Sequence, residues 1–126
     1  MKALSIRQPH ISLIAEGIKT KEIRSRNTHY RGDILLCASK TFDIKHVNAV
    51  KEVFIKEQGF APIFFEIFGK AVCIAEIYDS RPMLESDADE ACIDFMPGMF
   101  SWYLRNIRPI VPFNIKANVG FFEVDY

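Results

Sequence analysis

Residues 17 to 24 read Gly17-Ile18-Lys19-Thr20-Lys21-Glu22-Ile23-Arg24: a glycine, then a mainly polar and charged run holding two isoleucines. Upstream, Pro9 suits the first turn of a helix, and Ile11, Ile14, Ala15 and Ile18 come after it at helical spacing. Gly17 falls where a left-handed helix stop is expected, with Ile18 folding back on Leu13. The chain therefore turns sharply and leaves as a strand from Thr20 to Ser25. Alternation places Lys21, Ile23 and Ser25 on one face, and Thr20, Glu22 and Arg24 on the other. Ile23 is the only evident core residue. Packing alone accounts poorly for a strand this polar.

Elsewhere the pattern is that of a packed domain. Lys2 to Arg7 alternates as a short strand, and Asp33 to Ala38 reads as a buried one. A helix is expected over Asp43 to Gln58, with Ile44, Val47, Val50 and Phe54 inward and Gly59 as its stop. Phe60 to Phe68 is apolar material around Pro62, either loop or edge strand. Lys70 to Tyr78 reads as a central strand. Ser86 is placed to cap a helix running to about Phe95, ended by Pro97-Gly98. Phe100 to Arg105 alternates as a strand, Pro109 and Pro112 are expected to break the chain beyond it, and Gly120 to Val124 forms the last strand. This order predicts α+β architecture, mainly antiparallel, as a sheet or small barrel with two or three helices in one domain over residues 1–126.

Composition narrows the function classes. Nearly half of the 126 residues are apolar, which supports a buried core. No apolar run spans a bilayer and the start is unlike a signal peptide, so a cytoplasmic protein without membrane contact is expected. Three cysteines without Cys-x-x-Cys spacing give neither a disulfide framework nor a zinc site, and read as buried reduced thiols. His10, His29 and His46 lie in separate segments with no ligand spacing, so no metal is called for, and no cofactor motif is present. Net charge is zero but uneven. Residues 1–40 hold eight Lys or Arg against three acids, whereas residues 85–94 hold five acids and no base. Any polyanion binding must come from a local patch in the first third. The acidic run is expected to be a solvated helix face.

Gly17-x-Lys19-x-x-Glu22-x-Arg24 resembles the signature of the ASCH (activating signal cointegrator homology) domain family. The flanks agree in order: Leu4-Ser5-Ile6-Arg7-Gln8-Pro9, then Tyr30-Arg31-Gly32-Asp33 with Cys37-Ala38-Ser39-Lys40, then Glu76-Ile77, Trp102-Tyr103-Leu104 and Gly120-Phe121-Phe122-Glu123-Val124. The resemblance covers nearly the whole chain. It implies a PUA-like fold, a small β-barrel with packed helices, and an RNA-binding cleft lined by the motif. Two positions depart from the pattern: His10 and Arg26 stand where similar members often carry Trp, which removes flat stacking surfaces.

These readings place Lys19, Glu22 and Arg24 at the centre of a site for single-stranded RNA, a nucleotide or a nucleoside. Arg24 offers a planar fork to phosphate or a base edge, and Glu22 accepts hydrogen bonds from a base amine. Lys19 has the opposite parity and joins only if the turn at Gly17 swings it round. Arg7, Gln8, Arg26 and Lys40, with Arg31 and Ser39, would extend the patch along a backbone. Tyr30 or Tyr103 would stack an unpaired base, whereas Trp102 reads as core. An enzymatic alternative also comes from the resemblance. Some small members are amidohydrolases of acetylated cytidine that use the motif Lys as base, with Thr where this chain has Glu22. Lys19 and Glu22 would then act as acid/base groups on a modified nucleoside or RNA, with a second acid from Asp87, Asp89, Glu90 or Asp94. Thr20 shares the predicted face of Glu22, but the motif does not make it the nucleophile. A protein-interaction role of coactivator type is the third reading. Glu22 in place of that Thr favours binding over catalysis.

Overall fold

The computed structural model describes residues 1–42, 44–60 and 66–126. In chain order the elements are β1 (Lys2–Gln8), α1 (His10–Ala15), β2 (Lys21–Arg24), β3 (Gly32–Phe42), α2 (Ile44–Gln58), β4 (Lys70–Pro82), a 3₁₀ turn (Glu85–Asp87), α3 (Ala88–Ala91), β5 (Phe100–Asn114) and β6 (Phe121–Glu123). The six strands form one sheet in the order β2-β5-β4-β3-β1-β6. Every pairing is antiparallel except β1 with β3. This is the expected α+β, PUA-like architecture. The sheet is not closed, but it curls as a barrel does: Phe121 on the edge strand β6 stacks on Trp102 of β5, ring centroids 5.5 Å apart.

Both faces of the central strands are covered. Leu4, Ile6, Ile34, Leu36, Ile77 and Leu104 pack with Ile11 and Ile14 of α1 on one face. Ala3, Leu35, Cys37 and Ala71 form a second cluster, flanked by Ile110, Phe113 and Phe122. Burial on both sides is why Ile34 to Ala38 is a continuous apolar run rather than an alternating one. Cys37 and Cys73 are free thiols whose pKa burial pushes up to about 12, whereas Cys92 is only half-buried.

Several expectations need correction. β5 runs on through Pro109 and Pro112. Its neighbour β2 pairs only as far as Tyr103, so the prolines lie where β5 has β4 on one side and no strand partner on the other among the described residues. α2 buries only Val47, and Ile44, expected inward, is 54% exposed. The expected start of that helix at Asp43, and Pro62 within Phe60 to Phe68, lie outside the described residues. Ser86 caps no helix; the Asp87 carboxylate instead accepts the Leu84 amide at 2.8 Å. α3 stops at Ala91, where Cys92 takes a left-handed φ of 56°, well before Pro97-Gly98.

Candidate ligand cleft

The turn after α1 is a Schellman motif. Gly17 N–H donates to the Ile14 carbonyl and Ile18 N–H to that of Leu13, both at 2.9 Å, with Gly17 at φ +77°. A Cβ at Gly17 would meet nothing within 4 Å, so backbone conformation, not space, calls for glycine. The next residues are not yet strand. Thr20 N–H donates to the Glu90 carbonyl and Leu104 N–H to that of Thr20, both at 2.9 Å, pinning the segment between α3 and β5. Because β2 begins only at Lys21, alternation does not govern Lys19. Its side chain swings to the Glu22 side, with Nζ 3.8 Å from Glu22 Oε1 and donating to the Ala91 carbonyl.

Glu22 is therefore held between two cations, because Arg24 Nη1 lies 3.3 Å from its Oε2. The Arg24 guanidinium also lies 5.6 Å from the centroid of the Trp102 ring. Lys19 and Glu22 are 1% and 6% exposed, unusual for charged residues unless paired. Burial pulls the Lys19 ammonium below its ordinary range, partly opposed by Glu22 and Cys92. These side chains line a cleft of about 620 Å³, joined by Arg7, His10, Ser39, His46, Asp94 and the loop at Asn118 to Gly120.

His10 packs edge-to-face on His46, centroids 4.9 Å apart. Burial, reinforced by Lys19 and His46, pushes the His10 imidazole down to about 4, so it is neutral at physiological pH. Among the described residues, two buried side-chain polar atoms have no hydrogen-bond partner: Ser5 Oγ and His10 Nδ1. Both belong to residues lining the cleft. Unpartnered buried polar atoms are costly, and a ligand or water there would satisfy them.

The acidic run is not simply a solvated face. Asp87 is 2% exposed and accepts Lys21 Nζ at 2.8 Å, Ser101 Oγ at 2.9 Å and Tyr103 OH at 3.4 Å, besides the Leu84 amide. Burial alone would push its carboxyl up, but the Leu84 amide, Lys21 and Ser101 overcome this and hold it down at about 2. Glu90 completes the clamp, 3.2 Å from Lys21 Nζ. Tyr103 lies between Lys21 and Arg81, at 4.5 and 5.0 Å from its centroid. It is thus no open platform for a base, and neither it nor Tyr30 lines the cleft.

Of the residues singled out in the sequence, Lys19, Glu22, Arg24, Arg7 and Ser39 meet at the cleft. Gln8 does not: it is buried, its Nε2 donating to the Ile67 carbonyl and its Oε1 accepting from Ser12. Arg26 lies outside the cleft, and its carbonyl accepts the Trp102 indole N–H at 2.9 Å. Arg31 is engaged with the Thr28 and Tyr30 carbonyls, and Lys40 lines an adjoining groove. Ile23, expected in the core, is only half-buried and faces the cleft, whereas Lys21 and Glu22 are buried. His10, His46 and Asp94 are cleft residues that spacing does not reveal, because they come from three distant segments. Among the described residues no three His, Cys, Asp or Glu side chains converge as a metal site would require. No described helix is long and apolar enough to cross a membrane.

An open, mainly antiparallel sheet with packed helices is consistent with a barrel-like, PUA-like fold. The chain belongs to the ASCH domain family, whose model matches residues 4–114. No curated protein matches it significantly.

Proposed function

We propose that this protein binds single-stranded RNA, or a nucleotide-like ligand, in the cleft of Lys19, Glu22 and Arg24. The observation that carries the reading is a fixed acceptor beside a planar donor, Glu22 and Arg24, in a cleft of about 620 Å³. Small-molecule sites commonly fall at ≈ 300–1,000 Å³. Membership of the ASCH family is consistent with an RNA-binding role. Glu22 accepts from a base amine, Arg24 donates to a base edge or phosphate, and neutral His10 lines the same cleft. The Lys19 ammonium is engaged by Glu22 and the Ala91 carbonyl, which suits it to holding Glu22 in place. Fluorescence anisotropy with a labelled single-stranded RNA tests the assignment. Arg24→Ala and Glu22→Gln should each weaken binding about tenfold, the order of one charge-assisted contact. Unchanged affinity in a folded Lys19→Ala/Arg24→Ala variant would refute it.

A hydrolytic reading has one observation in its favour. The buried Lys19 ammonium is pulled below its ordinary range beside Glu22, and Asp94, alone of the four candidate acids, lines the same cleft. Against it, the Lys19 ammonium is already engaged, facing Glu22 and donating to the Ala91 carbonyl. Release of acetate from acetylated cytidine, abolished by Lys19→Ala, would establish hydrolysis. Absence of turnover would remove it.

A further inference from the structure

The cleft continues into a second groove of about 410 Å³, sharing Ser5, Ser39, Asn118 and Val119 with it. That groove leads to a third through Lys40, Gly69, Ile115 and Lys116. The two ends of this trough differ in charge. At the cleft end both cations of the motif, Lys19 and Arg24, face Glu22, Asp94 lines the same cleft, and the exposed Arg7 is the lining cation there without a described ion pair. At the far end Lys40 and Lys116 are exposed, no acidic residue lines either groove among the described residues, and neither lysine takes part in a described ion pair. Lys40 is also placed by the backbone: its stem lies over Gly69, where an added Cβ would come within 3.1 Å of Lys40 Cε. The Gly69 carbonyl in turn accepts the Ile115 amide at 3.1 Å, which ties the strand of Lys40 to the segment carrying Lys116.

From this polarity we infer that Lys40 and Lys116 form a phosphate subsite for the ligand whose base occupies the Glu22 cleft. The inference rests on the RNA- or nucleotide-binding reading and gives it a direction. The base lies beside the paired Lys19, Glu22 and Arg24, which discriminate by hydrogen bonding, and the phosphate extends past Ser5 and Ser39 toward two ammonium groups with no acid lining their grooves among the described residues. Lys116 joins the site although it lies far outside the motif. The phosphate is either the phosphodiester of a continuing RNA strand or the terminal phosphate of a mononucleotide.

The test compares wild type with Lys40→Ala/Lys116→Ala, exposed positions whose change should leave the fold intact. Three probes are titrated: a single-stranded RNA hexamer, the four ribonucleosides, and their 5′- and 3′-monophosphates. Losing two single-strand phosphate contacts should shrink the loss of hexamer affinity between about 50 and about 200 mM salt by about sevenfold. Nucleoside binding should not change. A monophosphate that loses affinity with the hexamer identifies a terminal-phosphate site; loss for the hexamer alone identifies a phosphodiester site. An unaltered salt dependence, or equal weakening of nucleosides, overturns the subsite. If Arg24→Ala still weakens the hexamer, the subsite falls alone; if neither variant matters, the cleft assignment falls with it.

Discussion

Lys19 and Lys21 stand two residues apart and both are largely buried, yet their surroundings differ in kind. Lys21 sits in a closed network: Asp87 and Glu90 accept from it, Ser101 and Leu84 saturate Asp87, and the Tyr103 ring covers it. Burial alone would lower its ammonium, but Asp87 and Glu90 outweigh burial and raise it above the ordinary value. Lys19 shares Glu22 with Arg24, burial lowers its ammonium, and unpartnered Ser5 Oγ and His10 Nδ1 belong to residues of the same cleft. A saturated charge network reads as architecture. One that is incomplete and opens on a cleft reads as a place for a ligand.

The largest effect that separates the two should come from Asp87→Asn. It leaves buried Lys21 with only Glu90, and a cost toward the low end of the ~3–5 kcal/mol typical of broken buried pairs is expected in urea unfolding. Its pH signature has a definite sign. The folded Asp87 carboxyl is held at about 2, below its ordinary 3.8, so its contribution is present above pH 4 and lost as pH falls through about 2. Asp87→Asn should flatten acid unfolding in that window.

Lys19→Met should be milder, about 1–3 kcal/mol, because the lost charge was costly to bury while the Ala91 carbonyl is left unpaired. The pH slope has the same sign but lies at the alkaline end, because here it is the neutral form that burial favours. With the folded ammonium below its ordinary 10.5, wild-type stability rises as pH climbs through the folded value toward 10.5, and Lys19→Met removes that rise. Arg24→Ala should alter stability by less than about 0.5 kcal/mol, being partly exposed, while still weakening RNA binding about tenfold. Tyr103→Phe is the smallest: its hydroxyl contact to Asp87 is 3.4 Å long, so a change within about 0.5 kcal/mol in unfolding and none in RNA affinity is expected.

The same contrast marks how much can be read in the sequence. The stop at Gly17, the buried strand at Ile34 to Ala38 and the Leu4/Ile6 alternation are local patterns, and each appears where those patterns place it. Lys19 shows the limit of alternation: strand parity sends it away, but β2 begins two residues later and the Schellman turn brings it to Glu22. The Lys21–Asp87 clamp joins positions 66 residues apart, and no spacing rule links them. The acids of residues 85–94 look solvated because charge on a short helix usually is; burial of Asp87 depends on β2 and β5 lying against it. His10 and His46 meet only because the fold brings the first turn of α2 to the cleft.

The most direct measurement is a two-dimensional NMR titration of the labelled protein with single-stranded RNA, monitoring lysine side chains, arginine Nε and histidine rings together. The account predicts that Lys19, Arg24 and His10 shift in a saturable, salt-sensitive way, while Lys21 stays fixed in its clamp. Shifts confined to Lys21, Tyr103 and Arg81, with Lys19, Arg24 and His10 unmoved, would place the ligand on the wrong side of β2 and contradict it.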